Sequence, residues 1–252
     1  MIGIYADVHK AHRGKSSDKW DSYLPVYERL FNPHRHDQIN ILEIGVQNGG
    51  SLEVLSEYFD KAANIIGCDT NPLCGDLKFA DPRISVVLGD INSPGAISTL
   101  TNKLKPIHIM IDDGSHVSFE IINAFINYFP LVAPGGIYLI EDTHCLYWES
   151  LGSGILRSTS AQRLFKLLTD VLNYEHWQKD MTLEAWLSGF FLKNGVPAFI
   201  AEGWVESIEF LNSMIVIHKA KQGTHSKLGS RLVAGTEFAV EKTPDSFDVY
   251  SH

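Results

Sequence analysis

INILEIGVQNGGSLEVLSEYF, residues 39–59, starts as an apolar run, turns on Gly45, Gly49 and Gly50, and leaves with apolar residues at helical spacing. A short continuous apolar run fits a strand covered on both faces, and the segment after the glycines fits an amphipathic helix. The glycine spacing is G-x-x-x-G-G and not the G-x-G-x-x-G of dinucleotide binders. Such a strand–turn–helix unit is either a plain tight turn or a place where a ligand approaches backbone closely and meets the free N–H groups of a helix start.

The same alternation continues downstream. NIIGCD (64–69) and RISVVLGD (83–90) read as strands that end in acids. SPGAISTLTNKL (93–104) reads as a helix with Ser93 at its cap, and IHIMID (107–112) as a strand. HVSFEIINAFINYFPLV (116–132) reads as a helix, and GGIYLIED (135–142) as a further strand. Strands alternating with helices predict an α/β fold with a doubly wound, mostly parallel sheet covered on both faces. WVESIEFLNSMIVIHKA (204–220) reads as two strands joined by a tight turn at 211–213. The stretch 145–195 interrupts the pattern with helical segments around 161–177 and 182–192, as an insertion or lid over the carboxyl edge of the sheet. Ahead of the domain (39–220), residues 1–38 predict a helical arm in which SYLPVYERLF (22–31) is the helix. Residues 221–252 are polar and irregular and read as a tail or an oligomer contact.

The 252 residues suffice for one large α/β domain, and an apolar content of 44% is that of a globular chain. The net charge of −9 argues against binding nucleic acid through a basic surface, but not against a nucleotide-like ligand in a pocket. Three cysteines without a C-x-x-C pair argue against a disulfide framework or a zinc ribbon. The charged N-terminus carries no apolar secretory core and no run reaches membrane-span length, so a cytoplasmic setting is the expectation.

Acids gather at the expected strand ends. Asp69 lies where a ribose-binding acid sits in doubly wound folds, the alternative being an acid solvated at a strand end, and Asp90 adds a polar group on the same edge. Asp112 and Asp113 end one strand, and Glu141 and Asp142 another. Four carboxylates brought close without a counter-charge raise one another's pKa values, and a hard divalent cation such as Mg²⁺ would remove the conflict. The alternative is that they splay apart into water, because neighbours on a strand point to opposite faces. His116, at a helix start, could take a proton from a substrate hydroxyl, or could simply begin the helix beside Ser115. His144, Tyr147 and Trp148 could stack on a sugar ring, or anchor the insertion into the core.

Taken together, ILEIGVQNGGS, the acid of GCD, the GD pair at 89–90, IDDGSH (111–116) and IEDTHCLYW (140–148) resemble a class I S-adenosylmethionine-dependent methyltransferase. More closely, they resemble the metal-dependent macrolide-sugar O-methyltransferases of the mycinamicin and tylosin type. SDKWDSYLPVYERLF resembles the arm that precedes the cofactor loop in that group, and IEFLNSMIVIHKA its closing strand pair. The resemblance spans about residues 16–220, and IDDGSH with IEDTH is its most specific part.

The resemblance implies a seven-stranded Rossmann-like sheet and a set of roles. Glu43, Gly45, Gly49 and Ser51 would shape the methionine end of the cofactor pocket, Asp69 would hold the ribose, and Asp90 and Ile91 would lie by the adenine, with Asp112 beside them. Asp113, Glu141 and Asp142 would ligate Mg²⁺, and His116 would be the general base. The expected activity is methyl transfer from S-adenosylmethionine to a sugar hydroxyl, on an acceptor with vicinal hydroxyls, by a homo-oligomer. A catechol-type acceptor would chelate Mg²⁺ equally well. A non-catalytic S-adenosylmethionine-binding protein is expected to have lost His116 or a metal acid, and all of them are present.

Overall fold

The computed structural model describes residues 4–177, 180–191, 194–222, 232, 234–237 and 239. Strand β1 (Asn40–Ile44) has parallel partners on both sides, β2 (Asn64–Asp69) and β4 (Ile107–Asp112). Outside β2 lies β3 (Ile84–Leu88), and outside β4 lies β5 (Val132–Ile140), both parallel. A terminal hairpin of β6 (Val205–Leu211) and β7 (Met214–Lys219) completes the sheet, with β7 antiparallel to β5. The seven strands stand in the order β3-β2-β1-β4-β5-β7-β6. Strand order reverses between β1 and β4, and in open parallel sheets a ligand crevice forms at the carboxyl ends of such a pair.

Side-chain alternation sends the strands into two cores. Ile41, Ile65, Ile109, Ile111, Ile137 and Leu139 face one, against α1 (Tyr5–Ala11), α2 (Tyr23–Phe31) and α3 (Gly50–Tyr58). Leu42, Ile44, Ile66, Met110, Tyr138 and Ile140 face the other, against α4 (Pro94–Lys103), α5 (Ser118–Tyr128) and α6 (Ala161–Val171). The single-turn helices α7 (Leu183–Trp186), α8 (Ser188–Phe191) and α9 (Ala198–Ala201) are on this second side, where Phe191, Phe199 and Leu187, which links α7 to α8, join the core.

The insertion is fastened to α5. Phe125 meets Phe165 and Phe199 edge-on, with ring centroids 5.2 Å and 5.4 Å apart. Ser118 Oγ accepts a hydrogen bond from the backbone N–H of Ala161 at 2.6 Å, joining the starts of the two helices. Truncating a fully buried phenylalanine such as Phe125 costs about 3–5 kcal/mol.

The arm is likewise part of the fold. Tyr5 packs edge-on against Tyr27, Phe31 and Tyr58, and Tyr27 stacks on Phe31 at 4.7 Å. Helix α1, absent from the reading of the sequence, is seven polar-rich residues whose only buried side chains are Tyr5 and Val8. The 116–132 helix is shorter than expected. It starts at Ser118 because His116 holds left-handed backbone, and Pro130 helps close it in a short 3-10 turn (Phe129–Leu131) before β5. Most of the expected 221–252 tail lies outside the described residues. Among the described residues, no helix is long and apolar enough to cross a membrane.

Candidate active site

The turn after β1 is shaped by the strand beside it. Gly45 has φ +86°, and a Cβ there would collide with the Asp113 carbonyl, so glycine lets β1 and β4 end side by side. Gly49, also left-handed, precedes α3. The parallel ladder runs one residue past the strands: Asp113 N–H donates to the Ile44 carbonyl at 3.0 Å, and Glu141 N–H to the Asp112 carbonyl at 2.9 Å. The ends of β1, β4 and β5 therefore deliver their acids to one edge.

Asp69, at the end of β2, fastens the glycine turn. It accepts from the N–H groups of Val46 at 2.8 Å, Gln47 at 3.1 Å and Asn71 at 2.8 Å. Partial burial acts to raise its pKa, but these hydrogen bonds win and hold the carboxyl below its ordinary value. A cleft of about 410 Å³ beside it is lined by Gly45, Asp69, Asp90, Ile91, Asp112 and Ser115. Asp90 accepts from the Asn92 N–H at 2.8 Å. Asp112 is turned to the α5 side, where burial pushes its pKa up to about 7 against the hydrogen bond from Tyr138.

A second cleft of about 370 Å³ shares Gly45, Asp69 and Gly114 with the first. Lys19, Glu43, Ser51, Asp113, His116 and Asp142 line it. Glu43 is 1% exposed and accepts from Ser51 Oγ at 2.6 Å, while its Oε2 is buried with no partner. Burial pushes its pKa up, against the pull of Lys19. Gly49 lines neither cleft; its contribution is the turn.

At the floor of this second cleft, donor atoms of Asp113, His116 and Asp142 all lie within 4.8 Å of one another. His116 Nε2 is 4.0 Å from Asp113 Oδ1 and 3.7 Å from Asp142 Oδ2. Ser115 shapes the approach by accepting from the Val117 N–H at 3.2 Å and donating to Glu120 at 2.5 Å. Two carboxylates and an imidazole at this spacing form a donor set that fits a divalent cation. Glu141, expected beside them, is outside this cluster. Strand alternation turns it to the arm side, where Lys19 donates to both its oxygens at 3.0 Å and 3.1 Å and Tyr27 hydrogen bonds to Oε1. Asp142, one residue on, takes left-handed backbone with φ 50°, and that bend swings it back toward His116.

Rings gather beside Asp142. His144 Nδ1 is 2.5 Å from Ser213 Oγ, and its ring stands edge-on to Trp148 at 5.3 Å and to Trp20 at 6.2 Å. Trp20 and Trp148 are more than half exposed. Tyr147 is engaged instead by Gln162, whose Nε2 donates to its hydroxyl at 2.5 Å. Lys19, Tyr23 and Tyr27 lie in the arm stretch SDKWDSYLPVYERLF on which the sequence resemblance partly rests, but neither they nor Trp20 and Ser213 were given a role in the site from sequence. Tyr23 and Tyr27 share a face of α2 at i, i+4 spacing, which marks an inward face but names no polar partner.

No protein-family profile matches the chain. The 8-demethyl-8-alpha-L-rhamnosyl tetracenomycin-C 2'-O-methyltransferase of Streptomyces olivaceus is 30% identical over 230 residues, 87% of this chain and 56% of that protein. The demethylmacrocin O-methyltransferase of Streptomyces fradiae is 34% identical over 176 residues, 64% of this chain and 43% of that protein. The chain spans about half the length of the curated relatives it matches. Among solved structures, the MycE methyltransferase from the mycinamycin biosynthetic pathway, in complex with Mg and SAH, superposes with a TM-score of 0.71 at 23% identity. That match covers 89% of this chain and 56% of MycE, and it shows the fold. The sheet order, the glycine turn with its strand-end acids and these matches agree: the chain has the fold of the class I S-adenosylmethionine-dependent methyltransferases and is a relative of sugar O-methyltransferases.

Proposed function

We propose that the chain is a divalent-metal-dependent O-methyltransferase that moves the methyl group of S-adenosylmethionine to a sugar hydroxyl in a glycan or natural-product pathway. The observation that carries this reading is the continuity of the two clefts. One runs along Asp69, Asp90 and Ile91, as a nucleoside site requires, and the other ends on Asp113, His116 and Asp142.

In this reading the Gly45 turn admits the cofactor backbone-close, with Asp69 at the ribose and Asp90 at the base. Glu43, with its unpartnered Oε2, faces the methionine end beside Ser51. Asp113 and Asp142 would hold Mg²⁺, with Glu141 behind them, and the ion supplies Lewis acidity that lowers the pKa of a vicinal hydroxyl. His116 takes the hydroxyl proton at Nε2, leaving the acceptor oxygen as nucleophile toward the sulfonium methyl. A neutral thioether needs no general acid to leave, so the chain's remaining task is alignment. The rings of Trp20, His144 and Trp148 form the wall on which a sugar face would stack. The same reading includes a cytoplasmic setting, supported by three unpaired cysteines, and a homo-oligomer, to be measured by light scattering.

The test is calorimetric titration with S-adenosylhomocysteine on EDTA-stripped protein and after Mg²⁺ is restored, followed by methyl-transfer assays on deoxysugar and rhamnosyl acceptors. Binding of S-adenosylhomocysteine with metal-dependent transfer to a sugar is the expected result. No binding in either state would reduce the glycine turn and its acids to structure.

A further inference from the structure

Lys19 is an ammonium group buried where the site gathers negative charge. Its side chain is 3% exposed, and Nζ lies 2.5 Å from Asp113 Oδ2, 3.0 Å from Glu141 Oε1 and 3.7 Å from Glu43 Oε1. Its neighbours on the arm complete the pattern. Trp20 Nε1 donates to Asp142 Oδ1 at 3.1 Å, Tyr23 donates to the same oxygen at 2.7 Å, and Tyr27 hydrogen bonds to Glu141. One short segment of arm thus places a donor on both carboxylates of the cluster, Asp113 and Asp142, and on Glu141 behind them.

Anchoring the arm does not require this. The ring cluster of Tyr5, Tyr27, Phe31 and Tyr58 already holds it, as does the ion pair of Lys15 with Glu53 at 2.8 Å. Removing an ammonium from water is costly unless carboxylates surround it, and one of those around Lys19, Asp113, belongs to the cluster that would hold a divalent cation.

Building on the metal-dependent reading above, we propose that Lys19 is a positioning residue that competes with the metal ion. It holds Glu141 away from the Asp113–His116–Asp142 cluster and occupies one oxygen of Asp113, so that metal loading and docking of the arm segment 16–20 oppose each other. A fixed positive charge hydrogen-bonded to a ligand carboxylate weakens cation binding there by direct repulsion. By linkage, a cation that binds must loosen the lysine to the same extent.

The experiment titrates Mn²⁺, read as loss of the free-ion paramagnetic resonance signal, into cofactor-free wild type, Lys19→Met and Lys19→Arg. Lys19→Met should bind Mn²⁺ at least about tenfold more tightly, and Lys19→Arg should stay near wild type. In wild type, saturating Mn²⁺ should speed amide hydrogen exchange of residues 16–20. Equal or weaker Mn²⁺ binding by a natively folded Lys19→Met protein overturns the proposal. If Lys19→Met fails to fold, unchanged or slowed exchange in metal-loaded wild type overturns it. S-adenosylhomocysteine binding by a wild type that takes up no Mn²⁺ would instead remove the metal from the proposed function, and the competition with it.

Discussion

His116 Nε2 lies 3.7 Å from Asp142 Oδ2, and both residues hold left-handed backbone, with φ 56° and 50°. A non-glycine residue in that region costs of order 1 kcal/mol and persists only where surrounding structure imposes it. Here the strain aims an imidazole and a carboxylate at a common point. His116→Ala should cut turnover by about 10²–10⁴-fold while S-adenosylhomocysteine binds as before. His116→Gly should lose the same activity yet unfold at a higher temperature than His116→Ala, because glycine accepts the backbone freely. Unchanged turnover in either variant would remove the histidine from the proton transfer.

Asp69 holds the glycine turn and, in the proposed function, the cofactor ribose, and its variants separate the two. Its carboxylate receives the Val46, Gln47 and Asn71 N–H groups, so Asp69→Ala leaves three donors without their acceptor. Stability should fall by about 1–3 kcal/mol, and cofactor affinity should drop beyond what that loss explains. Asp69→Asn offers only one acceptor oxygen and should fall between. Thermal denaturation and calorimetric titration of the two variants give both numbers. Full cofactor affinity in Asp69→Ala would confine the residue to holding the turn.

The strands were legible because parallel strands covered on both faces are continuous apolar runs, and the turn residues between them are unambiguous. Alternation even indicates where the acids go. Glu43 and Glu141 share parity with Ile41 and Leu139 and face the arm, whereas Asp112 shares parity with Met110 and faces α5. What sequence could not supply were the partners. Lys19 meets Asp113 and Glu141 across separations of 94 and 122 residues, and no local pattern in SDKW names them. The bend at Asp142 was invisible for a related reason: aspartate tolerates left-handed backbone without announcing it.

The cysteines test the packing of the fold, with Cys68 in one core and Cys74 in the other. All are unpaired and buried, and burial pushes Cys68 up to about 12, Cys74 up to about 11, and Cys145 above its ordinary value. A raised thiol pKa keeps the sulfur protonated at pH 8, and the thiolate is the reactive form. Ellman's reagent should therefore react slowly with native protein at pH 8 and rapidly with all three thiols in guanidinium. The native rate of Cys68 and Cys74 should climb about tenfold per pH unit from 8 to 10. Fast native labelling at pH 8 would contradict the buried placement of Cys74 and of Cys68, which lines the cleft beside Asp69 and Asp90.

Gly45 is the point where the fold and the site share one requirement. Alanine there would need a positive φ and would place its Cβ against the Asp113 carbonyl, which cannot yield without moving the end of β4. Gly45→Ala should destabilise the protein by more than about 1 kcal/mol and weaken S-adenosylhomocysteine and Mn²⁺ together, because displacing Asp113 disturbs both clefts. Retained affinity for both ligands, with native thermal stability, would show that β1 and β4 need not end in contact.

Asp142 permits the cleanest removal of charge. Asparagine is among the residues that best accept left-handed backbone, and its amide oxygen can keep the hydrogen bonds from Trp20 and Tyr23. Asp142→Asn should leave thermal stability within about 1 kcal/mol of wild type, since neither the backbone nor those contacts are lost. It also removes one of the two carboxylates of the Asp113–His116–Asp142 cluster. The Mn²⁺ concentration for half-saturation should therefore rise by at least about tenfold, and methyl transfer should need correspondingly more Mg²⁺. An unaltered metal response in a natively folded Asp142→Asn protein would strike Asp142 from the ligand set.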